Sequence, residues 1–115
     1  MGIRFMDIGS IQPTDFPSKD SVDFFDSLTA KEIVEREGLP QVVWFPEGPL
    51  LSDGNNRSYV FFSRGHFIIA VDYKNEQSMR RCPFILNYVL EKARKIRRHG
   101  IRSIYDFDEG GVFFR

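Results

Sequence analysis

Two apolar runs in the middle of the chain constrain its fold more than any other feature. Tyr59–Phe62 and Phe67–Val71 are apolar at successive positions, and Ser63–His66 separates them. Apolar runs of this length around a turn-forming segment predict a β-hairpin over residues 57–73. Because successive strand residues point to opposite faces, both faces of this hairpin need to be covered. Helices could cover one face and a second copy of the chain the other, so a homodimer is one expected arrangement.

Helical segments are predicted on both sides of this hairpin. An N-terminal helical segment begins after Ser18, a favourable N-cap, and ends at Gly38. Within it, Thr29 and Glu32 match a capping box, which indicates two short helices in place of one. A further helix is predicted over residues 83–99, because proline favours a first helical turn and a glycine follows the segment.

Short β-branched and aromatic segments complete the predicted fold. Their positions are residues 3–11, 41–45, 101–105 and 112–114, with a turn-rich connection over 46–56. A chain of 115 residues has room for one core. We therefore expect a single compact α+β domain over residues 1–115. Its small, mainly antiparallel sheet would contain the central hairpin (57–73), packed by the N-terminal helical segment and by a basic helix (83–99).

Composition excludes several classes of protein. Hydrophobic residues make up 42% of the chain and charged residues 28%, as is usual for a globular domain. The single cysteine, Cys82, excludes an intramolecular disulfide. No apolar run approaches the roughly 18 residues of a membrane span, and the first residues lack the features of a signal peptide. The expected setting is the cytoplasm, away from a membrane.

The charge is balanced in total and polarised along the chain. Lys and Arg number 16, as do Asp and Glu. Residues 1–58 hold ten acidic and five basic side chains, whereas residues 79–102 hold eight basic side chains and one acidic. Cations favour the C-terminal end of a helix, but the basic helix has more of them than this effect requires. Its apolar residues fall on one arc, with the cations opposite.

This basic face predicts binding to an anionic partner. Guanidinium groups bind phosphate through bidentate contacts, so nucleic acid is the first candidate. The expected phosphate contacts are Arg80, Arg94, Lys95 and Arg98, with Arg64 on the hairpin turn as an outlying contact. An acidic protein surface is a second candidate, and a solvated face without a partner is a third. Aromatic residues, 15% of the chain, would build the core or provide stacking platforms for bases.

A short acidic and basic run suggests catalysis. In Asp72-Tyr73-Lys74, Asp72 and Lys74 point to the same face of a strand. A carboxylate that holds a divalent metal beside a lysine can promote phosphodiester cleavage. Asp53, 19 residues upstream, could supply a second oxygen ligand.

In the order of its elements, the segment 18–105 resembles the PD-(D/E)xK nuclease superfamily. The resemblance implies a Mg²⁺-dependent nuclease in which Asp72 and Lys74 are catalytic and Asp53 and Asp72 hold the metal. The chain departs from the family pattern at two places: Asp72 stands where glutamate is commoner, and Asp53 follows serine in place of proline.

Two functions of different classes therefore remain open. The first is a small nucleic-acid-binding domain, with the nuclease as its enzymatic extension and Mg²⁺ as a cofactor only in that case. The second is a non-enzymatic inhibitor, immunity protein or accessory protein that binds a protein partner. A large exposed aromatic patch would favour the second, and a clustered basic surface with the acids held elsewhere would favour the first.

Overall fold

Four strands and five α-helices make up the described part of the chain. A computed structural model describes the backbone of residues 2–75 and 83–110. The elements are β1 (Gly2–Asp7), a 3₁₀ turn (Ile8–Ser10), α1 (Lys19–Asp26), α2 (Ala30–Glu37), β2 (Gln41–Phe45), β3 (Gly48–Asp53), α3 (Asn55–Ser63), β4 (Ile68–Asn75), α4 (Pro83–Arg98) and α5 (Tyr105–Gly110).

The four strands form one mixed sheet in the order β1-β4-β2-β3. The β1–β4 and β2–β3 pairs are antiparallel, and the β2–β4 pair is parallel. The Cα radius of gyration is 13.3 Å, close to the roughly 13 Å expected of a compact domain of this length. The predicted α+β class, single compact domain and mainly antiparallel sheet are confirmed.

Helices pack on both faces of the sheet because side chains alternate along each strand. Val42 joins the larger core with residues of α1, α2, α3 and α5. Its neighbour Val43 joins a smaller core on the opposite face, beneath α4. We call this smaller core the α4 cluster; its buried members are Val43, Phe45, Leu50, Val89 and Ala93. Helix α4 thus covers the β2–β3 half of its face of the sheet.

The predicted hairpin over residues 57–73 is wrong in its first arm. Residues 57–61 lie in helix α3, and all five are buried. A helix buried on all sides has no polar face, so its sequence lacks the helical period and resembles a buried strand. The second arm is correct, because β4 spans Ile68–Asn75.

The hairpin of the structure is β2–β3, part of which falls in the predicted connection 46–56. Pro49 lies on β3, an outer strand of the sheet, opposite Trp44. A proline is tolerated there because the missing N–H points away from the paired strand. Among the predicted turn residues, Pro46 does lie in the turn between β2 and β3, and Gly54 and Asn55 begin α3. At Pro49 and Asp53 the pairing with β2 overrides the local preference for a turn.

The predicted strand over residues 101–105 is also wrong, since helix α5 begins at Tyr105. The Asp106 carboxylate accepts hydrogen bonds from the N–H groups of Arg102 and Ser103, which turns the chain into the helix. Ile104 and Phe107, three residues apart, are both buried in the larger core. The predicted strand 112–114 lies outside the described residues.

Local capping signals give correct boundaries elsewhere. The Thr29–Glu32 capping box is formed in both directions and separates α2 from α1. Gly38, with a φ of 79°, ends α2. Helix α4 spans Pro83–Arg98, one residue shorter than predicted.

Candidate nucleic-acid interface

Helix α4 has one buried face and one exposed face, as its sequence predicts. Val89, Ala93 and Ile96 are at most 5% exposed, and the first two belong to the α4 cluster. Arg94 and Lys95 are exposed on the other side of the helix. The apolar arc therefore fixes the direction in which the cations point.

Acidic residues from the first half of the chain neutralise part of this basic face. Lys92 Nζ lies 2.9 Å from Asp15 Oδ2. Glu47 faces two arginines: its carboxylate oxygens lie 3.5 Å from Arg94 Nη2 and 3.2 Å from Arg97 Nη1. Acidic residues that are distant from the basic helix in the sequence thus contact it in the folded structure.

The Lys92–Asp15 pair is the shortest of these contacts. Partial burial lowers the pKa of Lys92, but the hydrogen bond and charge of Asp15, helped by Tyr88, outweigh that effect and raise the pKa above its ordinary value of 10.5. Lys92 also lies over the Tyr88 ring, 5.0 Å from its centroid. This lysine is thus fixed within the fold and is poorly placed to bind a partner.

Lys95 and Arg98 are the cations of α4 that remain available. Both are exposed, and neither forms an ion pair within the described residues. Arg98 Nε lies 3.4 Å from the carbonyl of Arg94, one turn earlier. Arg94 is half-exposed, and its contact with Glu47 is long. These three form the basic end of the candidate interface.

Two exposed aromatic rings occupy the other end of α4. Phe84 is 90% exposed and Tyr88 is 62% exposed. Neither ring is among the contacts predicted from the sequence. Both fall outside the apolar arc of the helix, where an aromatic residue has no core to enter, and this position is the signal that marks them.

The remaining predicted contacts do not join this surface. Arg64 follows α3 and donates from Nη2 to the carbonyls of Phe25, Asp26 and Leu28, at 3.1, 3.3 and 2.7 Å. Arg64 therefore holds the end of α1. It lies on the face of the sheet opposite α4 and not on a hairpin turn. Arg80 lies outside the described residues.

The predicted catalytic residues lie on β3 and β4, two strands that β2 separates. Gln41 on β2 is in register with Asp53 on β3 and with Asp72 on β4, so the two acids are about two strand spacings, or 10 Å, apart. Asp53 Oδ2 lies 3.5 Å from Arg57 Nη2. Lys74 Nζ donates to Gln41 Oε1 at 3.4 Å. Asp72 and Lys74 do share a strand, two residues apart, as the sequence requires.

These residues do not fit a Mg²⁺ site. Asp53 is engaged by an arginine, and the Gln41 strand separates it from Asp72. Across the described ranges, no group of three or more His, Cys, Asp or Glu side chains is arranged to hold a metal ion. We therefore derive no hydrolytic step from this region.

None of the helices within the described part of the chain combines the length and apolar character that a bilayer-spanning segment requires.

Comparisons with known proteins give one distant structural similarity. No family model matches the chain, and no curated protein matches it. Among solved structures, the chain is similar to protein Atu1540 from Agrobacterium tumefaciens, with 14% sequence identity and a TM-score of 0.49. The match covers 64% of this chain and 39% of that one, so the chain spans well under half the length of this neighbour.

Proposed function

We propose that the protein binds single-stranded nucleic acid with the exposed face of α4. The observation that carries the proposal is the presence of two exposed aromatic rings, Phe84 and Tyr88, on the same helix as the cations Arg94, Lys95 and Arg98. Proteins that bind single strands combine cations for the phosphates with aromatic rings on which bases stack.

The spacing of these residues places both rings and two of the three cations along one side of the helix. Positions 84, 88, 91, 95 and 98 are three or four residues apart, so they follow one stripe, on which the exposed acid Glu91 lies between the rings and the cations. From Phe84 to Arg98 the stripe is about 21 Å long at 1.5 Å per residue, enough for several nucleotides. Stacking requires unpaired bases, which favours a single strand over a duplex.

The ion pairs around Glu47 are compatible with this role. Exposed pairs of this kind contribute about 0–1 kcal/mol, so a phosphate can replace the Glu47 carboxylate at Arg94. The chain has no net charge to attract an anion from a distance. We therefore expect weak binding that depends on local contacts. Three phosphate contacts on a single strand predict a slope of about −2 for log K against log salt.

Fluorescence anisotropy with labelled oligothymidine, oligouridine and a DNA duplex, at several salt concentrations, tests the proposal. Charge reversal in Lys95→Glu/Arg98→Glu should reduce the salt slope to below about 1 in magnitude. Phe84→Ala should weaken single-strand binding about fivefold or more by loss of a stacked base. The matched control is Lys31→Glu/Arg36→Glu, which makes the same charge change at exposed positions of α2.

Three results would overturn the proposal. The first is an absence of binding at low salt. The second is an equal loss in the α2 control, which would mean that total charge and not the α4 face governs binding. The third is tighter binding to the duplex that is indifferent to Phe84→Ala. Circular dichroism of each variant separates these outcomes from misfolding.

A protein partner is the second candidate, and a different surface favours it. Ile3 and Phe5 on β1 are 69% and 76% exposed, and Ile68 on β4 is 59% exposed. This patch lies on the half of the sheet that α4 leaves uncovered. Exposed apolar residues that cluster on one sheet face are typical of protein interfaces.

A further inference from the structure

We propose that strand β1 is a self-pairing edge, through which two copies of this chain form one continuous sheet. This inference is independent of the proposed nucleic-acid binding, because it concerns the opposite edge of the sheet from the one near α4. It rests on the exposure of β1, on the direction of its backbone polar groups and on its symmetry.

One edge strand of the sheet is covered by another segment of the chain, and the other edge strand is exposed. At β3, the segment around Gln12 covers the edge: its N–H donates to the Pro49 carbonyl at 3.0 Å, and its carbonyl accepts from the Leu51 N–H at 2.9 Å. Strand β1 pairs with β4 alone, and no described segment covers its other side. The open edge of the described sheet is therefore β1.

The backbone of β4 fixes which β1 groups are unpaired. The Asp72 N–H donates to the Pro40 carbonyl, so the polar groups of Asp72 point away from β1. Ile3, which lies opposite Asp72, therefore belongs to a pair without mutual hydrogen bonds. By alternation the same holds for Phe5 and Asp7. The N–H and carbonyl groups of Ile3 and Phe5 thus point out of the sheet, ready to pair.

Strand β1 lacks the features that normally protect an edge. Proteins block exposed edges with proline, bulges or outward charges. The register of Gly2–Asp7 against β4 runs without a shift, and the segment contains no proline. Its one cation, Arg4, lies over the Tyr73 ring at 4.2 Å from the centroid and so does not guard the edge. Instead Phe5 and Ile3 are exposed beside it.

The strand is self-complementary about its middle. If a twofold axis passes beside Phe5, then Phe5 lies opposite its copy and Ile3 lies opposite Asp7 of the other copy. The outward groups of Ile3 and Phe5 then meet outward groups of the other copy, and the Asp7 carbonyl keeps its second lone pair for the partner because its first accepts from Ser10 Oγ at 2.7 Å. A shift to a centre at Arg4 would place two arginines opposite each other, which is unfavourable. The segment Gly2–Asp7 has one cation and one anion, and the whole chain has no net charge, so two copies do not repel.

The pairing would also extend the exposed apolar patch. Lys74 is in register with Val43 of the α4 cluster, so Ala70, four residues earlier on β4, shares the α4 face. Phe5 lies opposite Ala70 and therefore projects from that face too. In the pair, the patches of the two copies meet across the axis. The occupant that this geometry favours is a second copy of the chain.

Sedimentation velocity over a range of concentrations tests the proposal. The wild-type chain should show a monomer–dimer equilibrium. Phe5→Glu and Phe5→Lys should each be monomeric, because like charges then lie opposite each other at the axis. An equal mixture of the two should form a dimer again. Phe84→Glu is the matched control, an exposed phenylalanine on α4, and should dimerise as the wild type does.

Each alternative outcome is decisive. A wild-type chain that is monomeric at every concentration overturns the proposal, as does a Phe5→Glu variant that still dimerises. Failure of the mixture to dimerise overturns the register centred on Phe5. Loss of the dimer in Phe84→Glu would move the interface to α4. Because Phe5 is 76% exposed, its substitution should leave the fold intact, which circular dichroism checks.

Discussion

Gly54 offers a sharp test of how the central helix is anchored. It precedes α3 as the N-cap, with φ 95° and ψ 26°, in the left-handed region. A Cβ at this position would lie 2.9 Å from Pro40 Cα and 3.1 Å from Arg57 Cζ. Gly65, just after α3, has a similar φ of 86°, but a Cβ there would meet nothing within 4 Å. The two glycines thus share a positive φ and differ in the space that is available for a Cβ.

The expected costs follow from this difference. The left-handed conformation costs an L-residue about 1–2 kcal/mol, offset by about 0.4–1 kcal/mol from the stiffer unfolded chain. Gly65→Ala should therefore lose about 1 kcal/mol. Gly54→Ala adds an overlap with the Pro40 backbone, which costs about 1–3 kcal/mol more. We expect the two variants to differ by about 2 kcal/mol, with Gly54→Ala the less stable.

Urea unfolding followed by circular dichroism measures the difference. With an m value of about 1.5 kcal/mol per M, the midpoints of the two variants should lie about 1.3 M apart. Asparagine tolerates the left-handed region, so Gly65→Asn should recover most of the loss at that site. Gly54→Asn should recover little, because its Cβ still overlaps Pro40. Equal midpoints for Gly54→Ala and Gly65→Ala would refute the reasoning.

Three further predictions concern acid, base and packing. The backbone hydrogen bond from Thr29 lowers the pKa of Glu32 below 4.5. Ionised Glu32 therefore stabilises the fold above pH 4.5, and this contribution is lost as the pH falls through the pKa of the folded state. The difference in free energy of unfolding between the wild type and Glu32→Gln should close in acid, and a constant difference from pH 7 to 3 would contradict this. Burial, helped by the hydrogen bond to Asp7, raises the pKa of Tyr105 above 10. The contribution of protonated Tyr105 to stability is complete below pH 10 and is lost as the pH rises through the pKa of the folded state. Between pH 9 and 11 the melting temperature of Tyr105→Phe should therefore fall less with pH than that of the wild type. Leu50→Ala, in the α4 cluster, should cost about 2–5 kcal/mol in urea unfolding, and a loss below 1 kcal/mol would mean that α4 packs loosely.

Helix boundaries could be predicted from the sequence because they depend on neighbouring residues. The Thr29–Glu32 capping box and Gly38 lie within or beside the helix that they delimit. A similar local signal, a first-turn proline, marks the start of α4. Each of these signals acts through hydrogen bonds or dihedral angles within a few residues, so it depends little on distant parts of the chain.

The identity of α3 could not be predicted in the same way. Its hydrophobic positions follow no helical period, because the sheet, α1 and α5 surround it. Asn55 and Asn56 at its start accept hydrogen bonds from the N–H groups of Thr14 and Ser18, about 40 residues earlier in the chain. Contacts of this range are invisible to a local pattern.

The sequence by itself determined that this chain forms an α+β domain whose last long helix carries its cations on one face. Apolar spacing along α4 suffices for that, since it fixes which face is buried. Only the tertiary structure decided which cations are free. Asp15 and Glu47 lie 77 and 47 residues from the Lys92 and Arg94 that they neutralise. The tertiary structure also determines which strand forms the open edge of the sheet, because an edge is open only where no other segment covers it.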